Sequence, residues 1–519
     1  MTFKKNQIVE LYIDDLGTNG EGIGHIDGYA LFVVGALPGE RVKVGIMKCK
    51  KNYGFARLVE VLESPAEAGR LEPRCVVARQ CGGCSLQHMT YEKQLAYKEK
   101  KVKDCLERIG GVRFESPVEE DCKSDSTAVE NVPQFQNIIG MDDPWYYRNK
   151  VQLPVRMGKD GQIVTGFFAG RTHDVIPVDE CFLENESFRP VVGTFISIMR
   201  DMGIAPYDEK NHTGIVRHIY LRSAHISGDV MACIVVNSDI DGFVEKYGET
   251  IVREMSDKVS TILVNSNTER TNVVLGREMR AIYGDGNLID NIGDMKYKIS
   301  PHSFYQVNPV QTEKLYNTAL EFAGIRGGEV VWDMYCGIGT ISLFLADKVG
   351  DSGKVIGVEI VEDAIKNAKE NARLNGLKNT AFYCGAAEDV VGSREIIERE
   401  GEEVMHPDVV VVDPPRKGCD ASLLATILGM APARVVYVSC DPATLARDVK
   451  ILCEGEGDVA YSVKKVRPVD MFPWSGHVEC VTLLQRVSNT RERTITLNVE
   501  MEDYHRIKNG TGVTADATK

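Results

Sequence analysis

The sequence predicts an α/β protein. A doubly wound, Rossmann-like parallel sheet fills its C-terminal part, preceded by an N-terminal OB-like β-barrel and a central α+β domain. Three observations carry this reading. From about residue 300, apolar segments with strand character alternate with helical ones, the βαβ pattern of a largely parallel sheet. Residues 1–62 read as short strands separated by glycine-rich turns. The chain has 519 residues, which at roughly 150 per domain predicts about three domains.

In the first 62 residues, Gly17, Gly20, Gly22 and Gly24 punctuate the chain, and Leu37-Pro38-Gly39-Glu40 marks a tight turn before RVKVGIMKCKK. Alternation such as Val42-Lys43-Val44 predicts half-exposed strands, and so many strands in so short a stretch predict closure into a small barrel. Ser64-Pro65 opens a linker into the central domain, 63–299. There, residues 75–84 hold a cysteine cluster. YEKQLAYKEKKVKDCLERI (91–109) has helical spacing with a charged face and is expected to pack on the C-terminal domain. Residues 114–140 are polar and acidic, a loop or insertion, and 145–290 alternate short strands, turns and helical segments. The C-terminal domain, 300–486, begins its pattern with GEVVWDMYCGIGT, a strand, a glycine turn and a helix start. KVIGVEI, TAFYCG, DVVVVD and ARVVYVSC read as further buried strands, with a helix in EDAIKNAKENARLNG and a last strand in HVECVTLLQR. Residues 487–519 read as a loosely attached polar tail.

Apolar residues are 43% and charged residues 26%, the composition of a soluble globular protein. No apolar run reaches the roughly 18 residues of a membrane span, and Met1-Thr2-Phe3-Lys4-Lys5 is not followed by a signal-peptide apolar region. A cytoplasmic protein is expected, with no membrane and no obligate protein partner implied. The net charge of −14 argues against a nucleic-acid binder, but its distribution does not: residues 1–110 carry 17 basic and 14 acidic residues, and 41–57 hold six basic residues and no acidic one. Such a ribbon can bind phosphates on an acidic protein, because salt screens charges beyond about 8–10 Å; a solvated strand face is the competing reading.

Asp333-Met334-Tyr335-Cys336-Gly337-Ile338-Gly339-Thr340 sits at a strand end, where glycines let backbone approach a ligand closely. Glu359 ends the next strand, placed to accept both ribose hydroxyls of an adenosine. The turn lacks the third glycine of the dinucleotide fingerprint, and Asp413-Pro414-Pro415-Arg416 ends the fourth strand, as the fourth motif of methyltransferases does. Both favour S-adenosylmethionine over NAD. Cys440 ends ARVVYVSC, and a helix starting near Pro442 would favour its thiolate.

The segments SFYQVN (303–308), DPPRKG (413–418), VSCDPATLARD (438–448) and GHVECVTLL (476–484) resemble, in this order, those of the RNA uracil-C5 methyltransferases of the TrmA/RumA type. With the cysteine cluster and the barrel, the likeness covers nearly the whole chain to about residue 486. It implies a class I methyltransferase domain, with Cys440 as a nucleophile that adds to uracil C6 and makes C5 reactive towards the sulfonium methyl. Glu479 would be the base that removes the C5 proton; its place in an apolar strand would raise its pKa. The resemblance also places Gln306, Tyr335, Thr340, Glu359 and Asp413 around the cofactor. Phe304 and Tyr305 would either stack on an extruded base or pack in the core. The family has Asn after the nucleophile; here Asp441 would either raise the pKa of Cys440 or cap the helix.

Cys75-x5-Cys81-Gly-Gly-Cys84 offers three soft metal ligands. The resemblance points to Cys181 as the fourth and to a [4Fe–4S] cluster, with zinc as the alternative. Cys49, Cys105, Cys122, Cys233, Cys336, Cys384, Cys419, Cys453 and Cys480 are expected to be buried thiols. Residues 1–62 resemble a TRAM domain, with Lys48, Lys50, Lys51, Tyr53, Phe55 and Arg57 suited to RNA. In the family this domain and the iron–sulfur motif accompany ribosomal substrates, which implies 23S rRNA. The same reaction on tRNA, and a non-catalytic RNA-binding or ribosome-assembly factor, are the alternatives. A DNA cytosine-C5 methyltransferase is disfavoured, because that family places its cysteine after the fourth strand, where this chain has DPPR.

Overall fold

A computed structural model describes residues 3–114, 132–170 and 172–488. Most of the polar stretch 114–140, including Cys122, and the tail beyond 488 lie outside the described residues.

The N-terminal sheet contains β1 (Ile8–Tyr12), β2 (Asp15–Leu16), β3 (Gly22–Ile26), β4 (Tyr29–Val34), β5 (Arg41–Cys49) and β6 (Tyr53–Glu63), in the order β1-β5-β6-β4-β3-β2. Alternate residues of these strands, among them Leu11, Leu31, Val33, Val42, Val44 and Ile46, point into one small core. The sheet curls until β3 meets β1. At Gly24 a Cβ would stand 2.1 Å from the Tyr12 carbonyl oxygen, so only glycine permits the closure.

Helix α1 (Tyr91–Arg108) joins this barrel to the rest. Its Tyr97 hydroxyl donates to the Gly17 carbonyl at 2.9 Å, and Lys101 donates to the Gly476 carbonyl at 2.8 Å. Lys98 is fully buried and pairs with the equally buried Asp470 at 2.5 Å.

Next come β7 (Gln134–Phe135), β8 (Lys150–Met157), β9 (Ile163–Phe168), β10 (Val175–Pro177), α2 (Phe188–Asp201), β11 (Val216–Ser223), β12 (Val230–Val236), α3 (Ile240–Met255), β13 (Thr261–Ser266) and β14 (Glu278–Tyr283). All of these strands except β7 form the central sheet, β10-β9-β8-β11-β12-β13-β14. Its one parallel pairing, β12 with β13, is the one bridged by a helix, α3, as a parallel crossover requires. The hairpin β15 (Leu288–Ile292) and β16 (Met295–Ile299) leads out.

The C-terminal domain contains α4 (Pro309–Ala323), β17 (Val330–Asp333), α5 (Thr340–Val349), β18 (Lys354–Glu359), α6 (Glu362–Leu374), β19 (Thr380–Cys384), α7 (Ala387–Val390), α8 (Arg394–Glu400), β20 (Val409–Val412), α9 (Ala421–Met430), β21 (Arg434–Ser439), α10 (Pro442–Glu454), β22 (Val459–Val469) and β23 (Glu479–Ser488). The sheet order is β19-β18-β17-β20-β21-β23-β22-β7. Strands β17 to β21 are mutually parallel, and β23 runs antiparallel between β21 and β22. Helices cover both faces, which explains the unbroken valine run of β20: Val410 and Val412 enter one core, Val409 and Val411 the other.

Two expectations need correction. Gln134–Phe135 is not loop but an edge strand parallel to β22; its two residues are too few to show periodicity against polar flanks. Cys49 and Cys384 are exposed rather than buried, because each ends a strand (β5 and the edge strand β19) where the chain turns to solvent, and Cys453, in the last turn of α10, is only half-buried. Among the described residues no helix is long and apolar enough to cross a membrane.

Candidate active site

In a parallel sheet every strand delivers its last residue to the same edge, and ligands settle where the strand order reverses. Here the reversal lies between β17 and β20. Asp333 ends β17, Glu359 ends β18, Asp413 follows β20 and Cys440 follows β21. Strand β23 runs the other way, so its first residue, Glu479, arrives at that edge too. Ser439 is registered with Cys480, and continuing that register by one step sets Cys440 beside Glu479.

The site concentrates negative charge. Glu479 is 3% exposed, and burial, then the Asp413 carboxylate, push it up to about 8 against the opposing charge of Arg416. Asp413 is half-buried; burial and Asp333 raise it to about 7. Asp333 is raised to about 6 by burial, although the Ser342 hydroxyl donates to it at 2.5 Å. Cys440 is half-buried and is pushed up to about 12 by desolvation and by the charges of Glu479 and Asp413, with Arg416 again opposing.

That direction is opposite to the one expected from the start of α10. The helix does begin at Pro442, but two neighbouring carboxylates and burial outweigh its partial positive end. Asp441 acts as the cap: its carboxylate accepts from the N–H groups of Ala443 at 2.9 Å and Thr444 at 3.2 Å, an acceptor role that Asp and Asn fill equally well. Its charge is not among those that raise Cys440.

On the cofactor side, Gly339 adopts φ 85° before α5, a left-handed turn that glycine takes without strain. Glu359 accepts from the N–H groups of Gly337 at 3.3 Å and Val361 at 3.0 Å, which leaves lone pairs on both oxygens for hydroxyl donors. Thr340 is tied to the core: its hydroxyl accepts from Tyr316 at 3.1 Å and its carbonyl from Tyr297 at 2.9 Å. Gln306 is buried, and its backbone carbonyl accepts from Asn149 at 3.0 Å, which fastens this segment to the central domain. Tyr335 is half-buried against the core beside Cys419 and Asp420, and burial raises its hydroxyl pKa. Of the two aromatics in SFYQVN, Tyr305 is core, with its hydroxyl donating to Asp290 at 3.2 Å, whereas Phe304 is 66% exposed.

Sequence reasoning passes over two charges: Arg416, which acts on Glu479 and Cys440, and Asp333, which acts on Asp413. Both stand inside the motifs given above, and a strand-end position is the available signal. It also passes over the support of the loop that follows Arg416. Asp448, fully buried in α10, accepts from the Tyr437 hydroxyl at 2.7 Å, the Cys419 N–H at 2.8 Å and Arg447 at 2.7 Å. Arg447 in turn donates to the Lys417 carbonyl at 3.0 Å and the Cys419 carbonyl at 3.2 Å.

Cys75, Cys81, Cys84 and Cys181, far apart in sequence, line one cavity of about 270 Å³ together with Arg148, Lys150 and Glu184. All four are free thiols. Among the described residues, no group of three or more His, Cys, Asp or Glu side chains is arranged to hold a metal ion. The cysteine loop is fastened to the active-site side of the molecule. The N–H groups of Ser85 and Leu86 both donate to the Trp474 carbonyl at 3.0 Å, and Trp474 lies five residues before Glu479.

On the barrel, Phe32, Tyr53 and Phe55 form a surface trio with ring centroids 5.7–5.8 Å apart. Tyr53 is 40% and Phe55 37% exposed, and Lys48, Lys50 and Lys51 are exposed on the neighbouring hairpin.

Comparison with known proteins gives a consistent picture. A family model described as tRNA (uracil-5-)-methyltransferase matches residues 198–487, and one for the TRAM domain matches residues 3–59. Two proteins named uncharacterized RNA methyltransferase, from Halalkalibacterium halodurans and Clostridium acetobutylicum, are 46% and 43% identical to this chain; the matches cover 93% of it and 97% and 98% of theirs. The Pyrococcus abyssi tRNA (uracil-54, C5)-methyltransferase, solved with S-adenosyl-L-homocysteine, superposes with a TM-score of 0.68 at 25% identity, covering 92% of this chain and 99% of its own.

Proposed function

Because this chain belongs to the RNA (uracil-5-)-methyltransferase family and carries a TRAM domain, we propose that it methylates C5 of a uridine in 23S rRNA through a covalent cysteine mechanism. Membership makes it an S-adenosylmethionine-dependent RNA methyltransferase. The observation that carries the mechanism is the register of β21 and β23, which ends on Ser439 and Cys480 and so brings the next residues, a half-buried thiol and a buried carboxylate, to the same edge of the sheet.

When bound, S-adenosylmethionine supplies a sulfonium methyl for the activated C5. Gln306, Tyr335, Thr340, Glu359 and Asp413 would hold it: the glycine turn gives backbone access, and Glu359 offers acceptors for ribose hydroxyls. The Cys440 thiol first gives up its proton to solvent; its sulfur then adds to uracil C6, and the C5–C6 electron pair shifts towards C5 and the O4 carbonyl. Arg416 favours the ionised form of the thiol from which the addition starts. Once C5 carries the methyl group, Glu479 takes the remaining C5 proton. The C5–C6 double bond re-forms, the C6–S bond breaks, and the thiolate leaves. A Glu479 pKa near 8 matches a base that must accept this proton near neutral pH.

Tritium release from [5-³H]uridine RNA tests this. Cys440→Ala should abolish release. Glu479→Gln should slow it by about 10²–10⁴-fold, the usual worth of a general base, and should accumulate a protein–RNA adduct on a denaturing gel. Release by Cys440→Ala would overturn the mechanism.

The TRAM barrel and the cysteine cluster support the ribosomal substrate and a cytoplasmic site of action. A tRNA substrate is the second reading, favoured by the Pyrococcus protein, which is named for tRNA and whose fold spans 92% of this chain. Mapping 5-methyluridine in ribosomal and transfer RNA from cells with and without the protein decides between them.

The cysteine cavity fits a metal group in its donor chemistry. Four soft thiol donors line one cavity, and thiolates are the ligands of iron–sulfur clusters and structural zinc. Cys75, Cys81, Cys84 and Cys181 would hold a [4Fe–4S] cluster. The methyl transfer is polar and draws no electron from it, so its work would be to hold the 75–86 loop, and with it Trp474, in place.

A further inference from the structure

The cysteine cavity also carries charge that the chain does not balance. Lys150 is cross-strand partner to Arg222 and lines the cavity half-buried. Among the described residues it forms no ion pair. The charges acting on it are the guanidinium groups of Arg222 and Arg148, both of its own sign. Arg222 is 1% exposed; its hydrogen bonds go to the carbonyls of Ser300 and Ser303, and its charge is met by the Asp290 carboxylate, which leaves Lys150 as the unmatched cation. The one carboxylate on the cavity wall, Glu184, faces Arg148. An ammonium withdrawn from water among like charges is costly unless an anion joins it.

We propose that Lys150 is the counter-charge of the metal–thiolate group held by Cys75, Cys81, Cys84 and Cys181. The inference rests on the metal reading above but not on the identity of the metal. Four thiolates on a [4Fe–4S]²⁺ cluster or on one zinc(II) ion leave the same two net negative charges. Lys150 offsets that charge in a poorly hydrated cavity, which favours ionised thiolates and retention of the metal.

The charge argument predicts opposite signs for two measurements on the full chain, purified anaerobically. Under challenge with a chelator, Lys150→Gln should release bound metal about tenfold or more faster than the wild type, while Lys150→Arg, which keeps the charge, should release it at close to the wild-type rate. After metal removal, Lys150→Gln should melt no lower than the wild type, because a like-charge repulsion has gone. Equal metal retention in Lys150→Gln and wild type overturns the inference. So does equal release from the Arg and Gln variants, which would mean that shape rather than charge matters. A wild-type protein that takes up neither iron and sulfide nor zinc overturns the metal reading itself, an outcome visible before any variant is made.

Discussion

Glu479 shows how one residue couples chemistry to stability. Its carboxyl binds a proton more tightly in the folded protein, at about 8, than at its ordinary value of 4.5. The stabilisation from that bound proton is complete below the ordinary value and is lost as pH rises through about 8. A glutamine at this position does not titrate. The melting temperature of Glu479→Gln relative to wild type should therefore climb between about pH 5 and pH 9, and a flat difference would place the group outside the apolar cleft. The same direction governs activity. In the proposed mechanism both the base and the nucleophile act ionised, so wild-type kcat/KM should rise with pH through about 8, and the Cys440 thiol, held higher, should keep it rising beyond that.

At the scale of the element, two buried anchors decide whether these residues meet. Helix α1, though distant in sequence, is bolted to the loop before Glu479 by the fully buried Lys98–Asp470 pair, with the Tyr91 hydroxyl donating to Asp470 at 2.8 Å. Removing one partner leaves the other charge buried and unpaired, so Asp470→Ala should cost about 3–5 kcal/mol in urea denaturation. Asp448 does a similar job for the DPPRKG loop, through Cys419 and Arg447. Asp448→Asn should cost about 1.5–3 kcal/mol, the worth of a hydrogen bond to a charged group. By loosening Arg416 it should also shift the pH midpoint of Cys440 alkylation upward; an unchanged midpoint would disconnect the loop from the thiol.

For the molecule as a whole, the proposed function has the barrel and the methyltransferase domain share the work of binding RNA. The exposed rings of Tyr53 and Phe55 sit beside lysines on a protein whose net charge is −14, so attraction must be local. Tyr53→Ala or Phe55→Ala should each weaken RNA binding by about 1–3 kcal/mol, the value of one base–aromatic stack, with S-adenosylmethionine affinity unchanged. Replacing Lys48, Lys50 and Lys51 should flatten the salt dependence of binding, by roughly 0.7–0.9 in the log–log slope for each phosphate no longer neutralised. Equal salt slopes would move the RNA path off this face.

The strand–helix alternation after residue 300 and the motif order are legible in the chain itself, because buried parallel strands are written as continuous apolar runs such as Val409–Val412. Residue chemistry is legible too: a thiol at a strand end, a carboxylate opening an apolar strand, three clustered cysteines. Charge state is not. The α10 start suggests a thiolate at Cys440, yet burial, and after it Glu479 and Asp413, 39 and 27 positions away, reverse the shift. Nor can the chain alone show that Asp441 caps a helix, that Tyr305 is core while Phe304 is exposed, that Lys98 finds Asp470, or that Cys181 joins a cavity begun by Cys75. Local pattern sets which face a side chain takes. Electrostatics and convergence depend on through-space distance, which exists only once the strands are laid side by side.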